Sequence, residues 1–430
     1  MRVFALTLAV TATVSLTQVS GSAAAPSSDN CAPDNGGLKL PTGFCAILFA
    51  DSLAAPRQMD VGPNGDVFVG LRGVRGSQGS PSTPGGVMVL RDADGDGRAE
   101  RRYKIGEFSG TTVKLVGNQL FAETGSAILR YTWNPGAMTT SGGPDTIVGG
   151  LPGDRNHTAK TFAVHSGRLY VNHGSPTNAC QEKDRVPGSK GMDPCPDLAQ
   201  RAGIWRYDMN KKGQTIADGE RFATGIRNAV AIAFESRSND LYVVQHGRDM
   251  LSNNWPALFT DAKSAETPAE ELFRVTRGAD FGWPYCYFDP ELNKKVLAPE
   301  YGGDGQAVGR CANKQGNVGH FAGHWAPNSL LFYTGSALPA KYRNGAFIVF
   351  HGSWNRSPLP NQGFKVVFQP MSRGRAAGNF EVVVDGFYAD GKPTELGGRP
   401  MALAQGPKGE LYLSDDSRGR IWKISFTGGK

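Results

Sequence analysis

Apolar positions along the chain recur in short runs, and few windows keep the apolar spacing of an amphipathic helix beyond two turns. Instead, short apolar strands come in pairs that are separated by Gly, Asn or Asp turns, which is typical of β-hairpins. The pairs occur at residues 59–69, 113–122, 162–171, 232–243, 330–350 and 402–413. The pattern therefore predicts an all-β protein built from six similar hairpin units.

The second strand of each pair gives the repeat period. Successive spacings are 53, 49, 72, 106 and 64 residues, measured between Val67, Leu120, Leu169, Leu241, Phe347 and Leu411. Periods of about 50 residues indicate a propeller, with insertions mapping to loops. Because a single blade cannot bury both of its faces, the copies should close into one ring over roughly residues 40–428. The sequence predicts a six-bladed β-propeller with long loops on one face.

Cysteine spacing refines this expectation. Loop-closure entropy favours near neighbours as disulfide partners, and no Cys-x-x-Cys spacing points to zinc. Two couples fall in the insertions at 176–203 and 249–325, so disulfides should staple the long loops. The three expected disulfides are Cys31–Cys45, Cys180–Cys195 and Cys286–Cys311.

The N-terminal segment has the features of an export signal. Residues 1–25 combine a basic start, an apolar run and a small-residue end, which is typical of a cleaved signal peptide. We therefore expect a mature single propeller domain over 26–430 that is secreted, or periplasmic if the source is bacterial. No later stretch approaches the roughly 20 apolar residues of a membrane span, so none is expected.

Composition and charge narrow the class of partner. Hydrophobic residues make up 39% of the chain and aromatic residues 10%, which supports a real core and argues against disorder. The net charge is +7, from 46 basic and 39 acidic residues. The basic residues are scattered singly rather than clustered with aromatics, so nucleic-acid binding is not expected.

Polar side chains precede the first strand of several units. Arg57, His157, Arg227 with Asn228, and Arg399 hold this position, which lines the central channel of a propeller. Convergent cations are costly without an anion, so an acidic ligand is expected there; the alternative is that each side chain caps a turn or pairs with a nearby carboxylate. A histidine at this position is also a candidate general base.

The segment that follows the apolar strand 347–350 adds further candidates. His351, Trp354 and Asn355 lie together there, and a tryptophan beside polar groups suits stacking on a flat ring; alternatively it is a rim aromatic that plugs the channel. Two glycosylation sequons begin at Asn156 and Asn355. Because both fall inside the candidate site, we expect neither to carry glycan.

One acidic turn resembles the start of a calcium loop. Asp92, Asp94 and Asp96 follow the required spacing, but position twelve is Tyr103 rather than Glu. An acidic turn between strands is the alternative. The sequence contains no G-x-S-x-G elbow, no H-E-x-x-H helix and no phosphate or dinucleotide loop, so soluble nicotinamide chemistry is not expected.

Several motifs together resemble the glucose/sorbosone dehydrogenase family, nearest to its sorbosone dehydrogenase-like branch with the pyrroloquinoline quinone (PQQ)-dependent pyranose dehydrogenases. The resemblance covers nearly the whole mature chain and implies a secreted six-bladed propeller that uses PQQ and calcium. The Asp-His pair of the bacterial members is Asn156-His157 here. The motifs are Asn156-His157-Thr, Gly225-Ile-Arg227-Asn228, Gln245-His-Gly247-Arg248, Phe281-Gly-Trp283-Pro284 and Gly398-Arg399-Pro.

This resemblance also implies residue roles. His157 is implied to be the base that takes the proton of the sugar C1 hydroxyl while hydride passes to the quinone. Calcium is implied to bind the backbone oxygens of Gly247 and Arg248 and to act as a Lewis acid. The implied PQQ contacts, whose guanidinium groups suit the three carboxylates of the cofactor, are Arg57, Arg227, Asn228, His351, Trp354, Asn355 and Arg399.

The expected function is therefore a PQQ-dependent sugar dehydrogenase, a monomer that oxidises the C1 hydroxyl of aldoses or the aldehyde hydrate of osones. No C-x-x-C-H haem motif occurs, so electrons should pass to an external quinone, cytochrome or copper oxygenase. Two alternatives stay open. A calcium-dependent, lactonase-like hydrolase would need carboxylates that converge on calcium, and a glycan- or protein-binding propeller would need no chemistry in the channel; uptake of the cofactor separates them.

Overall fold

A computed structural model describes residue 1 and residues 31–76, 82–153 and 156–428. The expected signal peptide lies, apart from Met1, outside the described residues. Six sheets surround a central channel, and the innermost strands of neighbouring sheets contact one another around the ring. The expected six-bladed β-propeller is confirmed.

Blades 1 to 3 are regular four-stranded antiparallel sheets, numbered here from the innermost strand outward. The first strand of the chain, β1 (Phe44–Ala50), belongs to the last blade. Blade 1 contains β2 (Pro56–Val61), β3 (Val67–Val74), β4 (Thr83–Arg91) and β5 (Arg101–Ile105). Blade 2 contains β6 (Val113–Val116), β7 (Gln119–Glu123), β8 (Ile128–Asn134) and β9 (Thr139–Val148). Blade 3 contains β10 (Phe162–His165), β11 (Arg168–His173), β12 (Gly203–Asp208) and β13 (Glu220–Thr224).

Blade 4 carries the longest insertions. It contains β14 (Ala231–Glu235) and β15 (Asp240–Val244), then helices α1 (Leu251–Asn254) and α2 (Asp261–Glu266). Its third strand, β16 (Glu270–Val275), is followed by a separate hairpin of β17 (Cys286–Asp289) and β18 (Lys294–Leu297), and β19 (Gly319–Phe321) then completes the blade. Single 3₁₀ turns occupy Asn35–Gly37, Pro196–Ala199, Ile216–Asp218, Pro299–Tyr301, Gly309–Asn313 and Ala340–Arg343.

Blades 5 and 6 complete the ring, and the start of the chain closes it. Blade 5 contains β20 (Pro327–Phe332), β21 (Gly345–Phe350), β22 (Lys365–Ser372), β23 (Arg375–Ala376) and β24 (Glu381–Val384). A small hairpin of β25 (Tyr388–Ala389) and β26 (Lys392–Pro393) follows. Blade 6 contains β27 (Pro400–Gln405), β28 (Leu411–Asp415) and β29 (Arg420–Phe426), and β1 pairs antiparallel with β29 as its outermost strand.

The core lies between the blades rather than inside one sheet. Each of the six main interblade clusters joins two neighbours; the cluster between blades 6 and 1, for example, packs Tyr412 against Val67 and Val69. Second strands are therefore buried on both faces, as in β21, where all six residues are buried. This explains why these strands are apolar runs and not alternating ones. All six marker residues of the sequence repeat lie on second strands.

The three expected disulfides form between the expected partners, and the two long loops meet on one face. Cys180–Cys195 closes the loop between β11 and β12, and Cys286–Cys311 lies in the insertion of blade 4. The loops contact each other through Trp283, whose Nε1 donates to the Asn178 carbonyl at 3.0 Å. Cys31–Cys45 ties the N-terminal segment to β1.

One side chain crosses the central channel. The Nε2 atom of Gln58 in β2 donates to the carbonyl oxygens of Val230 at 2.8 Å and Asn328 at 2.9 Å, and its Oε1 accepts from Thr112 Oγ1 at 2.7 Å. These partners belong to three other blades, so a single amide links four blades. Gln58 separates the mouth of the channel, where the candidate residues lie, from its lower part.

Candidate active site

His157 precedes β10, and a backbone carbonyl fixes its ring. Its Nδ1 atom lies 2.6 Å from the Ser175 carbonyl oxygen. A carbonyl only accepts, so Nδ1 carries the hydrogen and Nε2 is left as an acceptor. Burial, together with the nearby Arg227 guanidinium, holds the pKa of His157 well below its usual range. Near neutral pH the ring is therefore an uncharged imidazole, and its basic Nε2 has no hydrogen-bond partner among the described residues.

A glycine allows two candidate residues to approach each other. A Cβ at Gly174 would lie 2.6 Å from the Cβ of His157 and 2.7 Å from Oδ1 of Asn228. Asn228 is held in turn by Asn172, whose Nδ2 donates to its Oδ1 at 3.0 Å. His157 and Asn228 therefore form one wall of the site.

Asp249, which follows the Gln245-His-Gly-Arg motif, organises one half of the site. Its Oδ2 accepts from Nη2 of Arg227 and from Nη2 of Arg185, both at 3.0 Å, and its Oδ1 accepts from Asn355 Nδ2 at 2.8 Å. Although burial opposes ionisation, Arg227 and the neighbouring cations hold the pKa of Asp249 below its usual range. We call Asp249, Arg185, Arg227, Asn355 and Asn178 the Asp249 cluster.

The guanidinium of Arg227 is almost fully used by the chain itself. Its Nε and Nη2 atoms donate to the backbone and side-chain oxygens of Asn178 at 3.1 and 3.0 Å, Nη2 also donates to Asp249, and Nη1 donates to the Gly247 carbonyl at 2.9 Å. A guanidinium carries five N–H groups. A single N–H therefore remains for a ligand.

Asp416, at the end of β28, organises the other half. Its Oδ2 forms a buried ion pair with Arg57 Nη1, and its Oδ1 accepts from His351 Nε2 at 2.8 Å. Arg72 Nη2 lies 4.0 Å from the same carboxylate, and Arg399 donates from Nε to the His351 carbonyl at 3.2 Å. We call these five residues the Asp416 cluster. Burial lowers the pKa of His351 to about 4, so its ring is neutral near pH 7.

Arginine donors outnumber their partners in the Asp416 cluster. Among the described residues, the Arg57 side chain is hydrogen bonded to Asp416 alone, and its buried Nε has no partner. Arg399 uses only two of its side-chain N–H groups, on the carbonyls of His351 and Gly352. Several N–H groups of these two guanidiniums thus remain for an anionic ligand.

The segment Gly247–Arg248, whose carbonyls were expected to bind calcium, is held on several sides. Gly247 N donates to Glu270 Oε2 at 2.7 Å, its carbonyl accepts from Arg227, and the Arg248 side chain forms a buried ion pair with Glu300. Glu270 has no ion-pair partner among the described residues, and burial raises its pKa to about 8. A buried carboxyl group without a cationic partner among the described residues, protonated near neutral pH, therefore contacts the expected calcium segment.

The loop after β21 contributes unlike side chains. Trp354 is 67% exposed, so it is available to stack on a ligand at the mouth of the channel. Asn355 instead joins the Asp249 cluster and lies 3.3 Å from Nδ1 of His324. Of the two sequons, the Asn355 amide is engaged by the chain, whereas Asn156 is exposed and donates to the Pro176 carbonyl at 2.8 Å; the absence of glycan stays a prediction.

The acidic turn of blade 1 brings more carboxylates together than its sequence spacing suggested. Oxygens of Asp92, Asp94, Asp96 and Glu100 all lie within 4.8 Å of one another between β4 and β5. The fourth carboxylate comes from the ninth position of the loop, not from the twelfth. This turn lies away from the channel, where arginines and histidines gather instead of converging carboxylates.

Contacts join most of the predicted site residues into two groups at strand ends and in loops, whereas Trp354 has no hydrogen bond to either group among the described residues. His157, Asn228 and Arg227 are on the Asp249 side, and Arg57, His351 and Arg399 are on the Asp416 side. Residues that the sequence analysis missed are Asp249, Asp416, Arg72, Arg185, His246 and His324. Their one sequence signal is position, since Asp249 and Asp416 both come shortly after second strands, β15 and β28.

Comparison with known proteins agrees with this arrangement. The family model described as TrAA12-like matches residues 38–427. A PQQ-dependent pyranose dehydrogenase of Coprinopsis cinerea is 24% identical over 439 residues, which covers 91% of this chain and 55% of that protein. The chain spans between 55% and 61% of the length of the first curated relatives that it matches.

Solved structures share the fold. The holo form of the pyranose dehydrogenase PQQ domain from Coprinopsis cinerea matches with a TM-score of 0.70 at 19% identity, covering 90% of this chain and 97% of that one. A calcium structure of a family AA12 carbohydrate-active enzyme from Trichoderma reesei matches with a TM-score of 0.72 at 18% identity, covering 93% of this chain and 99% of that one.

Proposed function

The chain belongs to the TrAA12-like family, and from that premise we propose that it is a secreted PQQ-dependent sugar dehydrogenase. It oxidises the C1 hydroxyl of an aldose, or the aldehyde hydrate of an osone, and passes electrons to an external acceptor. The observations that carry this proposal are the tautomer of His157, whose Nε2 is left unprotonated, and the N–H groups of Arg57 and Arg399 that the described residues do not use.

The donors of the Asp416 cluster fit the cofactor. The orphaned Nε of Arg57 and the spare N–H groups of Arg399 suit the carboxylates of PQQ, which accept bidentate guanidinium contacts. When bound, PQQ supplies a two-electron acceptor for the hydride of the sugar. The residues proposed to hold it are Arg57, Arg399, His351, Trp354, Asn355 and Asn228, with one N–H of Arg227.

His157 acts as the base in this proposal. The Ser175 carbonyl keeps the hydrogen on Nδ1, so Nε2 is ready to take the proton of the C1 hydroxyl as the hydride leaves. Because burial keeps the ring neutral, the base form is present without a partner carboxylate. A partner carboxylate like that of the Asp-His pair would raise the basicity of the ring, so His157 is proposed to act as a weaker base than the histidine of that pair.

Calcium is proposed to bind the carbonyl oxygens of Gly247 and Arg248. The Gly247 carbonyl already accepts from Arg227, so the metal would use its second lone pair. The buried Glu270 carboxyl contacts Gly247 and lacks a cationic partner among the described residues, and a cation bound nearby would favour its ionised form. When bound, calcium would act as a Lewis acid on the cofactor.

The disulfides support the proposal of secretion. All six cysteines are in disulfides, which is typical of oxidising compartments, and the expected export signal points the same way. No helix in the described part of the chain has the length and apolarity to cross a bilayer. The acceptor is proposed to be a small quinone, a cytochrome or an extracellular copper oxygenase.

Titration of the purified protein with PQQ and calcium tests the proposal. We expect saturable, dye-coupled oxidation of aldoses, and no such activity in His157→Ala. Absence of PQQ binding at micromolar concentration would contradict the proposal and favour a hydrolase or a binding propeller.

A further inference from the structure

A cleft of about 1300 Å³ opens beside the site. Thr158, next to His157 in the chain, lies at one part of its lining, and Arg72 lies at another. Arg72 Nη2 is 4.0 Å from Asp416 Oδ2, so the cleft borders the Asp416 cluster at Arg72, and Thr158 places it one residue along the chain from the proposed base. A sugar entering from solvent would therefore lie in this cleft with its reacting carbon toward His157.

The cleft is basic, and its cations are only weakly engaged by the chain. The Arg72 side chain is 57% exposed and makes no hydrogen bond within the described residues. Arg75 is exposed and has no hydrogen bond or ion pair among those residues. The single acidic residue of the described lining, Glu107, lies 3.9 Å from Lys104 Nζ. Arg75 thus faces the cleft without a carboxylate partner among the described residues, and the carboxylate nearest to Arg72 is that of Asp416, 4.0 Å from its Nη2.

The rest of the lining suits a sugar ring. The half-buried Phe108 and the exposed Val74 offer apolar surface, and Ser82, Thr83 and Ser109 offer hydroxyl groups. Apolar surface with a few polar groups is typical of small-molecule sites. Neutral sugars would use these groups but would leave Arg75 without an anionic partner and Arg72 with no anion closer than Asp416.

We propose that this cleft selects sugars that carry a carboxylate, such as a free uronic acid or the uronate of an oligosaccharide, and that Arg72 and Arg75 bind that carboxylate. The inference rests on the proposed function, because it places the reacting carbon of the sugar at His157. Guanidinium–carboxylate pairs are charge-assisted and geometrically specific, and exposed cations also speed the encounter with an anionic substrate. Arg57 and Arg399 remain for the cofactor, so the two arginines of the cleft are not needed there.

Paired substrates test this selectivity in protein loaded with PQQ and calcium. The kcat/KM ratios of glucuronate to glucose and of galacturonate to galactose are measured at low and high salt. We expect uronates to be favoured by about tenfold at low salt, with the preference shrinking as salt screens the charges. Arg75→Gln and Arg72→Gln should each lower the ratio by roughly threefold to tenfold, and Arg75→Lys should recover part of the loss.

Arg101→Gln is the matched control, because Arg101 is an exposed arginine on β5 of the same blade and does not line the cleft. Its uronate-to-neutral ratio should equal that of the wild type. If neutral sugars are oxidised and neither the ratio nor its salt dependence changes in the Arg72 and Arg75 variants, the selectivity is overturned while the dehydrogenase proposal stands.

If neither sugar class is oxidised, the proposed function fails and calorimetry decides the inference separately. Binding of glucuronate, but not glucose, to the protein without cofactor, lost in Arg75→Gln and kept in Arg101→Gln, would support the cleft as a carboxylate-binding site. No binding dependent on Arg75 would overturn it.

Discussion

The Asp249 cluster and the Asp416 cluster both place guanidinium groups around a carboxylate, but they differ in how many guanidinium N–H groups are left unused. Asp249 is hydrogen bonded by two guanidiniums and an amide, and the donors of Arg227 are consumed almost entirely by chain oxygens. Asp416 meets Arg57, with Arg72 and Arg399 close by, yet a buried Nε of Arg57 has no partner among the described residues. In the first cluster, chain oxygens use all but one of the N–H groups of Arg227. In the second cluster, guanidinium N–H groups remain unused.

This difference teaches that an arginine near a channel is not by that fact a ligand contact. A guanidinium whose N–H groups all reach protein oxygens holds loops in place, whereas one with unused donors in a buried place requires an anion. The structure thus separates a half whose guanidinium donors are mostly used by the chain from a half with unused donors, which is the half proposed to bind the anionic cofactor. If the two clusters differ in this way, substitutions in them should affect catalysis, stability and cofactor affinity differently.

The largest expected effect is the loss of kcat on replacing His157, the proposed base, which lies on the side of the Asp249 cluster. In His157→Asn we expect kcat to fall by about 10²–10⁴-fold, the usual worth of a general base, while the Kd for PQQ stays near the wild-type value. Stopped-flow reduction of the cofactor and fluorescence titration measure the two quantities. The matched control is His165→Asn, at the other end of β10. An equal collapse of PQQ affinity would contradict the division.

Removing the organising carboxylates should distinguish the clusters by stability. Asp249→Asn and Asp416→Asn should each lower the free energy of unfolding by about 3–5 kcal/mol, because each leaves buried guanidinium charge unpaired. Only Asp416→Asn should regain stability when PQQ is added, since carboxylates of the cofactor can replace the lost charge. Urea unfolding with and without PQQ is the measurement; the reverse pattern of rescue would exchange the roles of the two clusters.

Neutralising single arginines should affect cofactor binding unequally. We expect Arg57→Gln and Arg399→Gln to raise the Kd for PQQ by roughly 10- to 100-fold, consistent with about 1.5–3 kcal/mol for a hydrogen bond to a charged group. Arg227→Gln should raise it less and should mainly lower stability, because Arg227 has a single free N–H. Titration by fluorescence quenching measures these changes. A larger effect of Arg227→Gln would argue that the Asp249 cluster is the anion site.

A further expected effect is on the pH dependence of stability. Burial lowers the pKa of His351 to about 4 and that of His173 to about 3, while both titrate near 6.5 when unfolded. The unfolded chain therefore binds more protons in mild acid, and stability falls as pH drops from about 6.5 to about 4, by up to about 1.4 kcal/mol per pH unit for each histidine. Glu270, whose pKa is raised to about 8, has the opposite effect, because at this one group the folded state binds the additional proton and is stabilised as pH falls.

Urea unfolding at several pH values checks this dependence. His351→Asn should flatten the slope of stability against pH within the Asp416 cluster. A stability that does not change between neutral and mildly acid solution would contradict the neutral, buried state of these rings.

Sequence alone predicted the fold because its signals are local. Each hairpin is marked by its own apolar runs and turn residues, and the near-regular spacing predicts a ring. The pairing of β1 with β29 could not be read in this way, because it joins the two ends of the chain and depends on the whole ring. The helices and the extra hairpin of blade 4 were also missed, since the insertion carries no repeat.

The candidate site was predictable only in part for a related reason. Residues at the starts of inner strands share a register, so Arg57, His157, Arg227 and Arg399 stood out together. Asp416 did not, because its importance comes from Arg57, 359 residues away. The sequence likewise could not rank Arg227 below Arg57 as an anion contact, because that ranking depends on how many donors the folded chain has already used.

The Gln58 amide has a mechanical consequence. The pairing of β1 with β29 closes the ring at its circumference, and Gln58 adds a link across the central channel by hydrogen bonding to blades 2, 4 and 5. Displacement of one inner strand is therefore transmitted to inner strands on the opposite side of the ring. Since Arg57 is the adjacent residue of the same strand, the Gln58 hydrogen bonds fix the position of Arg57 along the channel axis, and with it the depth at which its guanidinium contacts a ligand.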